Sequence, residues 1–316
     1  MTRGGAGLEQ ALTFASMTHA ALPLRHALLA LAVVAVWGTN FVVIKAALAA
    51  LPPLLLATLR FTLAFAPAAL FVARPNLPWR TLAAYGVLIG AGQFGLLFVA
   101  MRSDITPGLA SLVIQTQVFF TIGLALALGR ERLKVAQGVA LLLAASGLAL
   151  IAWRTDASTT PLGLVLVLIA ALCWAAGNTV AQRAGKVPIL GFMVWSSLFA
   201  VPPLLALSLW LEGPAAMAQG VAAAGVGTWA AVLWQSVGNT LFGYGAWAWL
   251  LARHPAAVVS PLALLVPVFG IGASALVLGE GLPGWKVMAA ALVIGGLALN
   301  LLWPRLSTVL ARAPTS

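Results

Sequence analysis

The sequence predicts an all-α membrane protein: ten transmembrane helices as an inverted 5+5 repeat, with both termini cytoplasmic. Three observations carry that prediction: the composition, the length of the apolar runs and an internal similarity between the halves. Hydrophobic residues make up 62% of the 316, charged residues only 7%, and the mean hydropathy is +1.06. A soluble domain carries about 25% charged residues. Apolar runs near twenty residues recur along the chain, each enough to cross a ~30 Å hydrocarbon core as one helix. Alternating barrel-type strands are absent from the sequence, which leaves a helical bundle as the spanning solution.

Reading the runs between Pro, Gly and charged breaks places the spans at 27–49, 54–72, 81–101, 107–128, 134–153, 162–182, 189–210, 228–251, 256–278 and 284–302. Pro53, Pro107, Pro161, Pro188, Pro255 and Pro283 fall just before or at the first turn of a span. There the missing N–H of proline costs nothing. The tails are 1–26 and 304–316, and the two halves 27–153 and 154–303. The N-terminal tail has no long apolar stretch with a cleavage site, so no cleaved signal peptide is expected, and Met17 is an alternative start.

The net charge of +11 would suggest nucleic acid in a soluble protein. Here the basic residues sit in short loops and report topology instead. With the N-terminus inside, Arg3, Arg25, Arg74, Arg80, Arg130, Arg132, Lys134, Arg183, Lys186, Arg253, Arg305 and Arg312 are cytoplasmic. Only Lys45, Arg102, Arg154 and Lys286 lie outside, and Arg60 lies within a span. Trp79, Trp153, Trp210, Trp229, Trp285 and Trp303 stand near span ends, as an interfacial aromatic belt requires. The single cysteine, Cys173, excludes an intrachain disulfide and a cysteine metal cluster. No cofactor and no metal are implied.

Shifting the sequence by 149 residues aligns 120–150 with 269–299 without a gap. Phe120/Phe269, Gly123/Gly272, Glu131/Glu280, Ala140/Ala289 and Gly147/Gly296 coincide. Trp37-Gly-Thr-Asn40 in the first span is echoed by Trp174-Ala-Ala-Gly-Asn178 in the sixth. Five is odd, so the second half enters the membrane inverted relative to the first. Inverted repeats are common in secondary transporters, with the substrate near the midplane between them.

Several segments resemble the drug/metabolite transporter superfamily, specifically its EamA-type exporters. They are VVAVWGTNFVVIK (33–45), PPLLLATLRF (52–61), FVARP (71–75), GLASLVIQTQVFFTI (108–122), CWAAGN (173–178), VWSS (194–197), FGYGAW (242–247) and PLALLVPVFGIGASALVLGE (261–280). The resemblance covers residues 27–303 and is greatest to the branch exporting O-acetylserine and cysteine. It implies a multi-pass bacterial inner-membrane exporter of amino acids and related small metabolites, working by alternating access. One departure is that 130–133 reads Arg-Glu-Arg-Leu, whereas Glu280-Gly-Leu lacks the basic residues.

Polar residues inside spans are costly, which makes each a functional candidate. Arg60 lies seven residues after Pro53, ~10 Å along its helix at 1.5 Å per residue. Its guanidinium suits an amino-acid carboxylate fork to fork. The competing reading has it snorkelling outward or holding helix-end carbonyls. Trp37/Asn40, Trp174/Asn178 and Gln235/Asn239 are three or four apart and share helix faces. With Gln93 in the third span they either line a neutral polar path or act as interhelical glue. Gln115 and Gln117, two apart, point to different faces, so only one is expected to reach a cavity. Trp37, Trp174, Trp195 and Tyr244 lie inside spans and suit stacking on a solute or plain packing.

Glu131 and Glu280 occupy equivalent positions at opposite faces, suiting gating locks or solvated turns. None of the six acids falls mid-span, which favours facilitated transport or proton coupling near the faces. Efflux of aromatic amino acids or cationic drugs is an alternative, weakened for cations by the acid-free first span. A metabolite channel is the alternative of another class. Nothing supports an intramembrane enzyme: there are no paired carboxylates, no Ser/His/Asp set, no mid-span His and no metal-ligand spacing, so no enzyme is expected. The expected partners are a small-molecule substrate and the lipid bilayer, with the protein acting as a monomer.

Overall fold

The computed structural model describes residues 22–128, 134–154 and 158–310, and among them the regular structure is helical with no strand. The helices are α1 (Leu24–Ala47), α2 (Pro53–Leu70), α3 (Trp79–Ser103), α4 (Pro107–Ala127) and α5 (Val135–Trp153). They continue with α6 (Pro161–Ala184), α7 (Ile189–Glu212), α8 (Val226–Arg253), α9 (Ser260–Leu278) and α10 (Gly284–Leu310). Nine are long and apolar enough to cross a membrane. A tenth is reached when α8 is counted as one span with the short helix Pro214–Ala223, which meets it at 105°. That short helix was not anticipated from the sequence. Proline starts α2, α4 and α6, and Trp79, Trp153 and Trp210 are exposed at helix ends.

The ladder of α3 widens to π-helical geometry over Leu88–Gly95, and that of α8 over Trp234–Phe242. Such bulges cluster at functional sites because they re-aim side chains within an otherwise regular helix. Both fall where in-span amides stand: Gln93 in α3, Gln235 and Asn239 in α8.

Many of the helix pairs follow one rule. α5 packs on α10, α2 on α7 and α4 on α9; α1 packs on α9 and α8, and α6 on α4 and α3. Adding five to each number returns the same set. Between α5 and α10 the contact is reciprocal: a Cβ on Gly147 would stand 2.9 Å from Ala289 O, and one on Gly296 would stand 2.6 Å from Ala140 O. These are the residues that coincide in the internal alignment. Glycine is needed at both because each backbone lies directly on the other helix.

One end of the bundle is closed by polar contacts. Lys45, near the end of α1, donates to the carbonyls of Met101 (3.0 Å) and Arg102 (2.8 Å) at the end of α3. Thr160, before the start of α6, donates to Asp104 at 3.0 Å, just past the same end of α3. α1 and α6 therefore run in opposite directions. At this end too, the Glu212 carboxylate accepts the backbone N–H groups of Leu54 (2.7 Å) and Leu55 (3.0 Å). It caps the positive start of α2 from another helix. At the other end, His26 and His254 are hydrogen-bonded at 2.7 Å, tying the start of α1 to the end of α8.

Candidate functional site: a cavity beside a buried arginine

Between the helices lies a cavity of about 410 Å³, within the 300–1,000 Å³ range of small-molecule sites. Trp37, Asn40, Gln93, Gln115, Trp174, Asn178, Asn239 and Tyr244 all line it. The mid-span polar residues named from the sequence thus converge from α1, α3, α4, α6 and α8. Gln117 lines it as well as Gln115, contrary to the expectation that only one would. The cause is local: the chain tightens to a 3-10 turn over Ile114–Thr116, where three residues make a turn. Gln117 then accepts a hydrogen bond from Asn178 at 2.9 Å, coupling α4 to α6.

The cavity extends toward the His26 end, where Ser260 of α9 and Asn300 and Leu301 of α10 join its wall. Its aromatic corner is built around Trp37, whose ring centroid lies 5.4 Å from that of Tyr244 and 5.2 Å from that of Trp247. The indole N–H donates to the carbonyl of Asn239 at 3.2 Å. Gly243 makes room for it, since a Cβ there would fall 2.4 Å from Trp37 Nε1.

Arg60 is buried, 1% exposed, in a small side pocket that shares Tyr85, Phe94, Met193 and Tyr244 with the main cavity. It does not snorkel. Its Nη2 donates to Asn239 Oδ1 at 3.0 Å and to Thr240 Oγ1 at 3.3 Å, and the guanidinium carbon sits 3.7 Å from the Phe94 ring centroid. Nε and Nη1 have no partner. A ligand oxygen would meet these free N–H groups rather than the whole fork, because Nη2 is engaged. The oxygens of Asn40 and Gln93 are also buried without partners. An unmade hydrogen bond at a buried charged group costs more than the ~1–3 kcal/mol of a neutral one. The Arg60 groups lie in the side pocket, and the Asn40 and Gln93 oxygens belong to residues of the adjoining main cavity.

Besides Arg60, two sequence candidates stand apart from the cavity lining. Trp195 donates its indole N–H to Val72 O at 2.9 Å and packs on Phe65 and Trp79 between α2, α3 and α7. Gln235 is fully buried within α8, with neither amide atom partnered. Reasoning from sequence missed Tyr85, Met193, Ser260 and Asn300. Asn300 is itself an in-span amide, so the rule that flagged the others applies to it. Tyr85 carried no such signal, since its side chain reads as core bulk.

Glu280 lies in the turn after α9, which ends on Gly279 in left-handed conformation (φ 67°). Its carboxylate gathers donors from three helices. Thr106 Oγ1 donates at 2.5 Å and Gly108 N at 3.0 Å from the start of α4, Ser274 Oγ from α9, and Lys286 Nζ at 2.9 Å from α10. Burial pushes the carboxyl up, but the bonds from Ser274, Thr106 and Lys286 and the ammonium charge outweigh it, leaving it below its ordinary value. Lys286 supplies the positive charge that the Glu280-Gly-Leu segment lacks. Glu131 lies outside the described residues. The described acids Asp104, Glu212 and Glu280 all stand at this closed end, so no described carboxylate lines the cavity.

A helical bundle of nine or ten apolar spans around a cavity lined by aromatic and amide side chains is the architecture of a multi-pass membrane protein. The EamA-like transporter family model matches the chain twice, over residues 24–153 and 161–302, and the chain belongs to that family. A relative named as a probable amino-acid metabolite efflux pump, from Salmonella typhimurium, is 42% identical over 86% of this chain and 93% of its own. Another of the same name, from Escherichia coli K12, is 40% identical over 87% of this chain and 94% of its own. A solved crystal structure, 23% identical, shares the fold with a TM-score of 0.60 over 92% of this chain and 98% of its own. The family and these relatives are transporters, not enzymes.

Proposed function

We propose that the protein is an inner-membrane secondary transporter exporting amino acids and related small metabolites, with O-acetylserine and cysteine among them. The efflux-pump names of the two similar relatives support export of amino-acid metabolites. The halves 27–153 and 154–303 act as inverted repeats; the reciprocal α5–α10 contact and the opposed directions of α1 and α6 support this. Both termini are cytoplasmic by the distribution of basic residues. The cavity then faces the cytoplasm, and Glu280 latches the outer side. Alternating access follows from breaking that latch and closing the cytoplasmic side, with Glu131 as the matching residue there. The protein acts as a monomer, because its own helices enclose the path.

The observation that carries the reading is Arg60, buried beside the cavity with Nε and Nη1 unpaired. Its role is to bind the substrate carboxylate, while Asn40, Gln93, Gln115, Asn178 and Asn239 hold polar groups of the solute. Trp37, Trp174 and Tyr244 pack on its side chain. Trp195 and Gln235 support the wall instead. The test is counterflow in proteoliposomes with labelled cysteine, O-acetylserine, threonine and phenylalanine, with and without a pH gradient. Saturable exchange without a gradient, lost in Arg60→Ala, is expected. Flux that does not saturate would make the protein a channel, and flux untouched by Arg60→Ala would remove the arginine from the site.

A further inference from the structure

We infer that the cavity recognises a carboxylate and one adjacent N–H without requiring that nitrogen to carry charge. It therefore accepts anionic N-acylated amino acids alongside zwitterions and rejects amino acids with cationic side chains. The inference rests on the carrier reading above.

The argument begins with charge. Among the described residues, Arg60 is the ionised group beside the cavity, and no carboxylate lines it. A zwitterion entering such a site finds a cation for its carboxylate but no anion for its ammonium. What remains for the nitrogen is neutral: the unpartnered oxygens of Asn40 and Gln93, and the faces of Trp37 and Tyr244. A neutral amide oxygen accepts from an ammonium or from an amide N–H. The aromatic faces attract an ammonium, yet they cover an acyl methyl equally well. Nothing in this set penalises loss of the positive charge. A second positive charge, by contrast, is repelled by the guanidinium in a space of low dielectric with no counter-ion. Specificity of this kind comes from the absence of an acid as much as from the presence of the arginine.

The experiment is competition in reconstituted vesicles. Counterflow of labelled threonine and of labelled phenylalanine is challenged with the N-acetyl derivative, the methyl ester and lysine. The N-acetyl form should inhibit within about fivefold of the parent amino acid, the difference between a neutral and a charge-assisted hydrogen bond. The methyl ester, which lacks the carboxylate, and lysine should inhibit at least about tenfold more weakly. Asn40→Asp, which places an acid in the wall, should reverse that order. Normal exchange of the parent amino acids with no inhibition by the N-acetyl forms would overturn the inference while leaving the carrier intact. So would lysine competing equally in the unaltered protein. No exchange of any amino acid would overturn the carrier reading, and this inference with it.

Discussion

Replacing Glu280 by Gln keeps the side chain's shape and removes its charge, which tests whether this residue holds one end of the bundle shut. In the closed arrangement the carboxylate accepts from Thr106, Gly108, Ser274 and Lys286. Glutamine presents an NH₂ to some of those donors and leaves the Lys286 ammonium unmatched. Breaking a buried ion pair by removing one partner costs about 3–5 kcal/mol. Glu280 and Lys286 each keep about a tenth of their surface exposed (8% and 10%), which favours the lower end. A loss of about 3 kcal/mol shifts the closed-to-open ratio by about 150-fold. The assay is labelling of Leu97→Cys in a Cys173→Ala background, since Leu97 lines the cavity in the half of α3 nearer Glu280. A membrane-impermeant maleimide is applied to right-side-out vesicles. The unaltered latch should protect Cys at 97 from outside, and Glu280→Gln should speed its labelling by one to two orders of magnitude. Unchanged labelling from outside, with the protein still folded and inserted, would refute the latch.

Other outcomes follow from the same contacts. The Glu280 carboxyl lies below its free value of about 4.3, so its contribution is complete above that pH and lost as the pH falls through the lowered value. Outside labelling at position 97 should accordingly be flat from about pH 8 to about pH 5 and rise only in stronger acid, with Lys286→Met moving the rise upward. A Cβ on Gly38 would fall 2.5 Å from both Phe269 Cβ and Val266 O, so Gly38→Val should force α1 from α9. Its cost should exceed about 2 kcal/mol, read as a lower Tm in detergent. Trp195→Phe loses the bond to Val72 outside the cavity, so it should lower Tm by a few degrees and leave transport KM unchanged. Asn239→Ala releases Nη2 of Arg60 and should raise KM about tenfold with folding retained, measured by counterflow.

The span pattern was legible because the bilayer imposes one length on every segment, and starts at Pro53, Pro107 and Pro161 were marked by residues with no N–H to lose. The convergence of Trp37, Asn40, Gln93, Trp174, Asn178 and Asn239 was legible for a related reason. An amide inside hydrocarbon must face other protein or a cavity. What one-dimensional reading lacked was the local pitch. The π-helical stretches of α3 and α8 and the tight turn at Ile114–Thr116 rotate side chains off the i, i+4 face. That is why Gln117 joined Gln115, whereas Tyr85, in the regular turn before the widened stretch, went unremarked because its side chain reads as core bulk. Trp195 shows the converse failure. An aromatic residue inside a span carries no sign of whether it faces solute or helix, and its indole N–H found a backbone carbonyl instead.

The latch and the arginine bear on one another through energy. A ligand moves a two-state equilibrium only by its differential affinity for the two states. If the outer latch favours the closed form by about 3 kcal/mol, a substrate can open it only by gaining that much more in the outward state. One charge-assisted hydrogen bond contributes about 1.5–3 kcal/mol, and Arg60 has two free donor groups. Full engagement of Nε and Nη1 in one state and partial engagement in the other therefore matches the latch in size. It follows that Arg60→Lys, which keeps the charge but loses the two-point contact, should leave binding measurable while slowing exchange more than it raises KM. Equal effects on KM and on the exchange rate would place the arginine's contribution in binding alone and leave the opening of the latch to other contacts.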